Sequence, residues 1–313
     1  MPQAHEFQTD LRDMLARGQV VAVVGSGVSL ATTSRAPAWR GLIASGVERC
    51  WTVGAADKWC QQVRGLLDPD SDADMLLSAA ELVHQKLQEQ GGGEYARWLR
   101  DAFAELQPED PTVIQLLTNL GTPLVTTNYD DLLERVTSLK HVTWRDTRNV
   151  ARVVRGEDRR VLHLHGHWDE PDSVVLGVRS YEAVKGSAHT QAVMRALGIT
   201  KSFLFVGCGD EGLSDPNFGN FITWLAVIEM DGGVEHRHYR LVREQDAFEP
   251  QGGCTHWSTE RTMASCRGFW SSSRRKSCRL PCSECARTSS RTTTHEIPPF
   301  PGWHKRNARA DNI

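Results

Sequence analysis

The chain has 313 residues, 40% hydrophobic and 24% charged, an ordinary composition for a water-soluble globular protein. Its longest apolar run near the start, Val20 to Val24, is far shorter than the roughly 20 residues of a membrane span. The N-terminal sequence lacks the basic-then-apolar pattern of a signal peptide, and the three cysteines of residues 1–253 are too scattered for a disulfide scaffold. We therefore expect a cytoplasmic enzyme or binding protein.

The net charge of −3 conceals a change in character after Gly253. Residues 254–313 carry 11 basic and 4 acidic groups, no valine and one leucine. Such a segment cannot bury much apolar surface, so we expect an irregular, disordered tail. Three alternatives stay open: non-specific contact with nucleic acid, a reading frame displaced from the original one, and a zinc site. The zinc site would use Cys266, Cys278, Cys282 and Cys285.

Predicted strands and helices alternate along residues 1–250, which we expect to form one domain. A short amphipathic helix at 6–17 precedes the first strand, and residues 41–120 are mainly helical, with Ser71 or Asp72 capping one helix. Predicted strands occupy residues 20–24, 123–126, 161–164, 202–206 and 238–242. This alternation predicts a doubly wound, Rossmann-type parallel α/β sheet with a helical insertion. In such sheets ligands bind beyond the carboxyl ends of the strands.

The first polar cluster directly follows the first strand. Glycines permit close backbone approach, and a following helix would present N–H groups to an anion. The segment is neither a GxGxxG fingerprint nor a P-loop, because Leu30 replaces the third glycine and no Gly-Lys-Ser/Thr follows. A plain strand–helix connection and a nucleotide-phosphate site both fit. The residues concerned are Gly25, Ser26, Gly27 and Ser29.

The second cluster, residues 126–131, follows the strand at 123–126 with the sequence TTNYDD. Asp130 or Asp131 could simply cap the next helix. Asn128 precedes those capping positions and has no such structural duty. An amide at a strand tip can orient a water or a carboxamide, so the pattern favours a functional role for Asn128.

The third cluster is the HLHGH sequence at residues 163–167. If the strand continued, alternation would place the three histidines on one face, a geometry that would also suit a metal. Gly166 is expected to break the strand, and no acidic helix motif completes a metal site. One histidine acting as an acid/base is the favoured function, and a buried hydrogen-bonded histidine pair is the structural alternative.

A weaker signal follows the strand at 202–206. Gly207 begins a second glycine turn, and Asp215 or Asn217 further on could bind a ribose or stabilise the loop. Cys208 could act as a nucleophile, but a small residue in a tight turn is the simpler interpretation.

Taken in order, these clusters resemble the sirtuin family, in particular the NAD-hydrolysing branch found in bacterial antiphage defence. Sirtuins carry Gly-Ala-Gly-x-Ser, Pro-Asp-Phe-Arg, Thr-Gln-Asn-Ile-Asp and His-Gly motifs. The matching segments here are GSGVS at 25–29, PAWR at 37–40, TTNYD at 126–130 and HG at 165–166. The resemblance covers about residues 15–245, and the helical insertion together with LLE at 132–134 is similar to the defence branch.

The resemblance implies cleavage of NAD⁺ by water to ADP-ribose and nicotinamide, with NAD⁺ as substrate and no further cofactor or metal. It assigns catalysis to Asn128 and His165, and NAD⁺ binding to Gly25, Ser26, Gly27, Ser29, Trp39, Asp130, Gly207 and Asp215. It also implies a homo-oligomer, no membrane contact, and a defence partner of the helicase-type ATPase or Argonaute type.

Two departures separate this sequence from deacetylase sirtuins. Cys208 is the only cysteine between Cys60 and Cys254, so their four-cysteine zinc module has no place here. Ala38 replaces the aspartate of the Pro-Asp-Phe-Arg segment. Protein deacylation or ADP-ribosyl transfer on the same fold, and non-catalytic sensing of NAD⁺ or ADP-ribose, remain the alternatives.

Overall fold

A computed structural model describes residues 2–209, 219–221, 224 and 238–241, with side chains from residue 9 onward. In these residues a sheet of six strands has the order β3-β4-β2-β1-β5-β6, and every pair of neighbours is parallel. The strands are β1 (Val20–Val24), β2 (Leu124–Thr126), β3 (Lys140–Thr143), β4 (Arg160–His163), β5 (Ser202–Val206) and β6 (Tyr239–Leu241). The chain thus moves outward from β1 in one direction and returns to the other side of β1 with β5.

Helices connect the strands. Those before β2 are α1 (Pro2–Ala16), α2 (Ser26–Thr32), α3 (Trp39–Thr52), α4 (Asp57–Gly65), α5 (Ala73–Glu89), α6 (Glu94–Phe103) and α7 (Thr112–Asn119). Those after β2 are α8 (Leu132–Thr137), α9 (Thr147–Val154), α10 (Val178–Gly186) and α11 (Ala188–Thr200). The predicted cap of α5 is confirmed, because Asp72 accepts a hydrogen bond from the backbone N–H of Met75 at 2.9 Å.

The central strand divides the core into two layers, because alternate residues of a strand face opposite sides of the sheet. Val20, Ala22 and Val24 pack into the larger apolar cluster with the helices of the insertion. Val21 and Val23 pack on the other face with side chains of α9 and α11. All five residues are buried, so β1 reads as a continuous apolar run, as expected for an inner parallel strand.

The structure confirms the α/β class, the parallel sheet and the five predicted strands within one or two residues. The sequence did not predict β3, an edge strand in which only Val142 and Thr143 are buried. Among the helices of the described residues, none has the length and apolarity that crossing a membrane demands. The predictions for Asp215, Asn217 and the tail at 254–313 lie outside the described residues.

Candidate functional site

A cavity of about 900 Å³ lies at the carboxyl ends of four neighbouring strands. It is lined from β1 by Gly25, from β2 by Asn128, from β4 by His165 and from β5 by Gly207. Because β2 and β5 lie on opposite sides of β1, the cavity lies at the switch in strand order, where doubly wound folds bind ligands. Four other residues predicted from the sequence also line this cavity: Ser26, Ser29, Trp39 and Asp130.

His165 lies in this cavity at a sharp turn that follows β4. Gly166 has a φ of +84°, and a Cβ on it would lie 2.1 Å from the carbonyl oxygen of Ser173. Only glycine fits both the backbone conformation and the space. The side chain of His165 is 4% exposed and meets the ring of Tyr181 edge-on, with ring centroids 5.5 Å apart.

A buried hydrogen-bonded chain joins the first two sequence clusters. The side-chain N–H of Asn128 donates to Ser29 Oγ at 2.9 Å, and Ser29 Oγ donates to Asp130 Oδ2 at 2.7 Å. The backbone N–H of Leu132 donates to the other oxygen, Asp130 Oδ1, at 3.2 Å. Asp130 therefore does support the start of α8, as the structural interpretation held, and it also faces the cavity.

Burial raises the pKa of Asp130 above its ordinary value, although the Ser29 and Leu132 hydrogen bonds oppose that shift. The neutral carboxyl group is therefore favoured in this site relative to an exposed aspartate. A buried titratable group aimed into a cavity is typical of functional sites.

The glycines of the first turn serve close packing rather than an open anion cradle. The N–H groups of Gly25 and Gly27 donate to the carbonyls of Val206 and Gly207, each at 2.9 Å. Any Cβ on Gly25 or Gly27 would lie under 3 Å from the β5 turn. Gly27 does not line the cavity. Two of the N–H groups that were predicted to bind a phosphate are thus already hydrogen-bonded within the protein.

Two residues at the start of α3, Trp39 and Arg40, also line the cavity. Arg40 Nη1 donates to the carbonyls of Leu67 and Asp68. The indole N–H of Trp39 is buried without a hydrogen-bond partner among the described residues. Together with Ser26, Trp39 and Arg40 are the lining residues near that turn whose side chains carry donor groups.

The β5 turn favours the structural interpretation of Cys208. Its thiol is buried, 3.6 Å from the carbonyl oxygen of Val23, and packs against Gly25. Gly207 adopts a φ of +68°, and a Cβ there would lie 2.5 Å from the backbone nitrogen of Val28. The small residues of this turn let β5 and the start of α2 approach closely.

Several lining residues were not identified from the sequence because they do not follow a strand. The helical insertion forms a wall of the cavity with the start of α5 and with Phe103, and α10 adds Tyr181. Their apolar periodicity identified core-facing helices, but periodicity does not distinguish a core from a cavity wall. The residues concerned, at the start of α5 and just before it, are Ser71, Asp72, Ala73, Leu76 and Leu77.

The other two histidines of the HLHGH sequence point elsewhere, because β4 ends at His163. His163 is fully buried between the Asn128 carbonyl oxygen, 3.0 Å from Nδ1, and Glu134 Oε1, 2.8 Å from Nε2. Burial alone would lower the pKa of His163, but the Glu134 carboxylate outweighs burial and raises it. His167 stacks on His141, and burial lowers the pKa of His167 to about 2.

We expect Asp130→Asn to flatten the dependence of stability on pH. A folded-state pKa above the ordinary 3.8 means that the Asp130 contribution is full below that value and is lost as pH rises. Wild type should therefore lose more free energy of unfolding than the variant between pH 4 and pH 7. Urea unfolding across this range measures it, with Asp131→Asn as the neighbouring carboxylate control. Parallel curves for wild type and Asp130→Asn would contradict the expectation.

A comparison with protein families agrees with this geometry. Residues 122–262 match the family model of the SIR2-like domain. The matched segment contains the clusters at 126–130 and 163–167, while the first glycine turn precedes it and joins it in space through Ser29. The SIR2-like match indicates an NAD-related function. Residues 122–262 of the chain are thus similar to the SIR2-like domain, which makes this part of the protein sirtuin-like.

Proposed function

We propose that this protein is an NAD⁺ glycohydrolase, which cleaves the bond between nicotinamide and ribose with water to give nicotinamide and ADP-ribose. The observation that carries the proposal is the convergence of His165 and the Asn128–Ser29–Asp130 chain on one deep cavity. Its volume of about 900 Å³ lies within the range of small-molecule sites, which is roughly 300–1,000 Å³.

The reaction develops positive charge on the ribose while nicotinamide leaves as a neutral base. His165 is assigned the acid/base role, taking a proton from the attacking water or from a ribose hydroxyl. Asn128 orients that water or the ribose hydroxyls. Its backbone is already held, because its N–H donates to Thr126 Oγ1 at 3.0 Å and its carbonyl accepts from His163.

Asp130 is assigned to the nicotinamide carboxamide, and one of its oxygens would accept a hydrogen bond from the carboxamide N–H group. Each oxygen of Asp130 holds one protein hydrogen bond, so a further lone pair is left for the ligand. For the pyrophosphate, the assignment moves from the glycine N–H groups to the Ser26 hydroxyl and the Arg40 guanidinium, which line the same cavity. Gly25, Gly27 and Gly207 act by permitting close approach of the turns.

We further assign the protein to the antiphage-defence branch, as a regulated effector that forms homo-oligomers and responds to a partner. The support is the TTNYD sequence followed by LLE, together with the helical insertion between β1 and β2. A hydrolase of NAD⁺ would harm its own cell if it were always active, so low basal activity is expected.

The test incubates the full-length protein with NAD⁺, alone and with the product of a neighbouring gene, and separates the products by chromatography. Equal amounts of nicotinamide and ADP-ribose support hydrolysis. Nicotinamide release that requires an acetylated peptide or a protein acceptor would instead identify a transferase or deacylase. Calorimetry in parallel detects binding without turnover, the behaviour of a sensor. NAD⁺ that neither binds nor is cleaved would contradict the proposal.

A further inference from the structure

A second group of buried ligand-type side chains lies beside the candidate site, between β4 and α8. It consists of Glu134, His163 and His167, which we name the Glu134 cluster. One ligand atom from each residue lies within 4.8 Å of the others. Both histidines are under 4% exposed. Tetrahedral zinc with bonds of about 2.0–2.1 Å places its ligand atoms about 3.4 Å apart, so a modest inward shift completes the geometry.

Hydrogen bonds outside the cluster already orient His163 as a ligand. Its Nδ1 donates to the backbone carbonyl of Asn128, so Nε2, which lies 2.8 Å from Glu134 Oε1, is the nitrogen that can give up its proton and bind a metal. An imidazole held through its other nitrogen by a backbone carbonyl is the usual support of a metal-binding histidine.

Two polar atoms of the cluster have unsatisfied hydrogen-bonding capacity. Glu134 Oε2 and His167 Nε2 are both buried, and neither has a hydrogen-bond partner among the described residues. Buried polar atoms without partners are rare, because each costs the free energy of its lost hydration. Two of them in a group of three residues indicate a missing occupant.

The cluster also has a route to solvent. A cavity of about 420 Å³ is bordered by Glu134 and His167, by four further carboxylates and by two basic residues, Lys140 and Arg160. The excess of carboxylates favours entry of a cation. Those carboxylates are Asp131, Asp146, Asp169 and Glu170.

We propose that Glu134, His163 and His167 form a binding site for a divalent transition metal, with zinc as the first candidate. Two imidazoles and one carboxylate are a ligand set known for zinc, and three protein ligands leave a position open toward the smaller cavity. This departs from the sequence-based expectation of no metal. That expectation considered the histidines alone, because the sequence does not show that Glu134 lies beside them. The proposal stands independently of NAD⁺ cleavage.

Metal binding costs two hydrogen bonds. The first joins His163 Nε2 and Glu134 Oε1, 2.8 Å apart; the metal takes its place, and the His163 Nε2 proton leaves to solvent. In the second, the N–H of Asp169 donates to His167 Nδ1 at 3.2 Å, so in the neutral ring the proton lies on Nε2. Binding through Nε2 requires the other neutral tautomer, with the proton on Nδ1, and the Asp169 N–H then loses its acceptor. These two hydrogen bonds are exchanged for metal–ligand bonds, while the Asn128 contact of His163 is kept.

The experiment titrates chelator-treated full-length protein with zinc chloride in a calorimeter. The background carries serine at the five tail cysteines, Cys254, Cys266, Cys278, Cys282 and Cys285, so that no tail thiol binds metal. We expect one zinc per chain, absent in His167→Ala and bound at least about tenfold more weakly in Glu134→Gln. Cobalt in the same site should show visible d–d bands without a thiolate charge-transfer band.

His189→Gln is the matched control, because His189 lies on α11 and lines neither cavity. It should keep the full zinc stoichiometry. Glu134→Gln is nearly isosteric and tests the site even if His167→Ala does not fold, which near-UV circular dichroism shows. Zinc binding equal in wild type and both cluster variants, or absent from folded wild type, would overturn the proposal.

Discussion

His165→Ala is expected to lower the rate of nicotinamide release from NAD⁺ by about 10²–10⁴-fold, the usual contribution of a positioned acid/base. His165 lines the cavity and is 4% exposed, so its proton transfers take place away from bulk water. Because the proposed role of His165 is to act on the reacting groups, kcat should fall while the affinity for NAD⁺ changes little. Single-turnover measurements combined with calorimetric binding separate the two effects.

Asn128→Ala should give a loss of comparable size, since it removes the amide that orients the reacting groups. His189→Ala is the control for both, because it removes a histidine from α11 at a position outside the cavity. Thermal unfolding of each variant checks that the fold survives. If both cavity variants consumed NAD⁺ within twofold of the wild-type rate, the chemistry would have to be assigned to other residues.

Gly166→Ala is expected to destabilise the fold by about 2–5 kcal/mol. A left-handed conformation costs an L-residue about 1–2 kcal/mol, and overpacking typically adds about 1–3 kcal/mol. Both effects operate here, since φ is +84° and the new Cβ would overlap the carbonyl of Ser173. The same shift would move His165, so activity should fall as well. Urea denaturation gives the change in the free energy of unfolding.

Gly156→Ala provides a control that separates the two contributions. Gly156 has a φ of +74°, similar to that of Gly166, but nothing lies within 4 Å of an added Cβ. Its destabilisation should therefore be limited to the backbone cost of about 1–2 kcal/mol. Equal destabilisation of the two variants would show that the Ser173 peptide moves aside easily.

The sequence predicted the meeting point of the polar clusters, because parallel strands bring their carboxyl ends to one edge. Gly25, Asn128, His165 and Gly207 each follow a strand, and all four line one cavity. Buried apolar runs identified the inner strands well. The edge strand β3 was missed because Lys140 is exposed and His141 only half-buried, so no continuous apolar run marks it.

The contacts between side chains of distant residues could not be predicted from the sequence. Ser29 and Asp130 are 101 residues apart and meet only because β1 pairs with β2. The role of the glycines also depends on a tertiary neighbour, since the β5 turn takes up the N–H groups of Gly25 and Gly27. Likewise, Glu134 lies on a helix whose local pattern gives no sign that it faces two histidines.

The position of β1 in the sheet has a consequence for any attempt to isolate the family-matched segment. Residues 122–262 contain β2, β3 and β4 on one side of β1, and β5 and β6 on the other. Among the described strands of that segment, no pairing joins the two halves, because β2 and β5 each pair with β1. Expressed alone, the segment would have two unpaired inner edges, the buried strands β2 and β5, and unpaired edges of this kind are templates for aggregation. A peptide carrying residues 20–24 would be the natural strand to complement it.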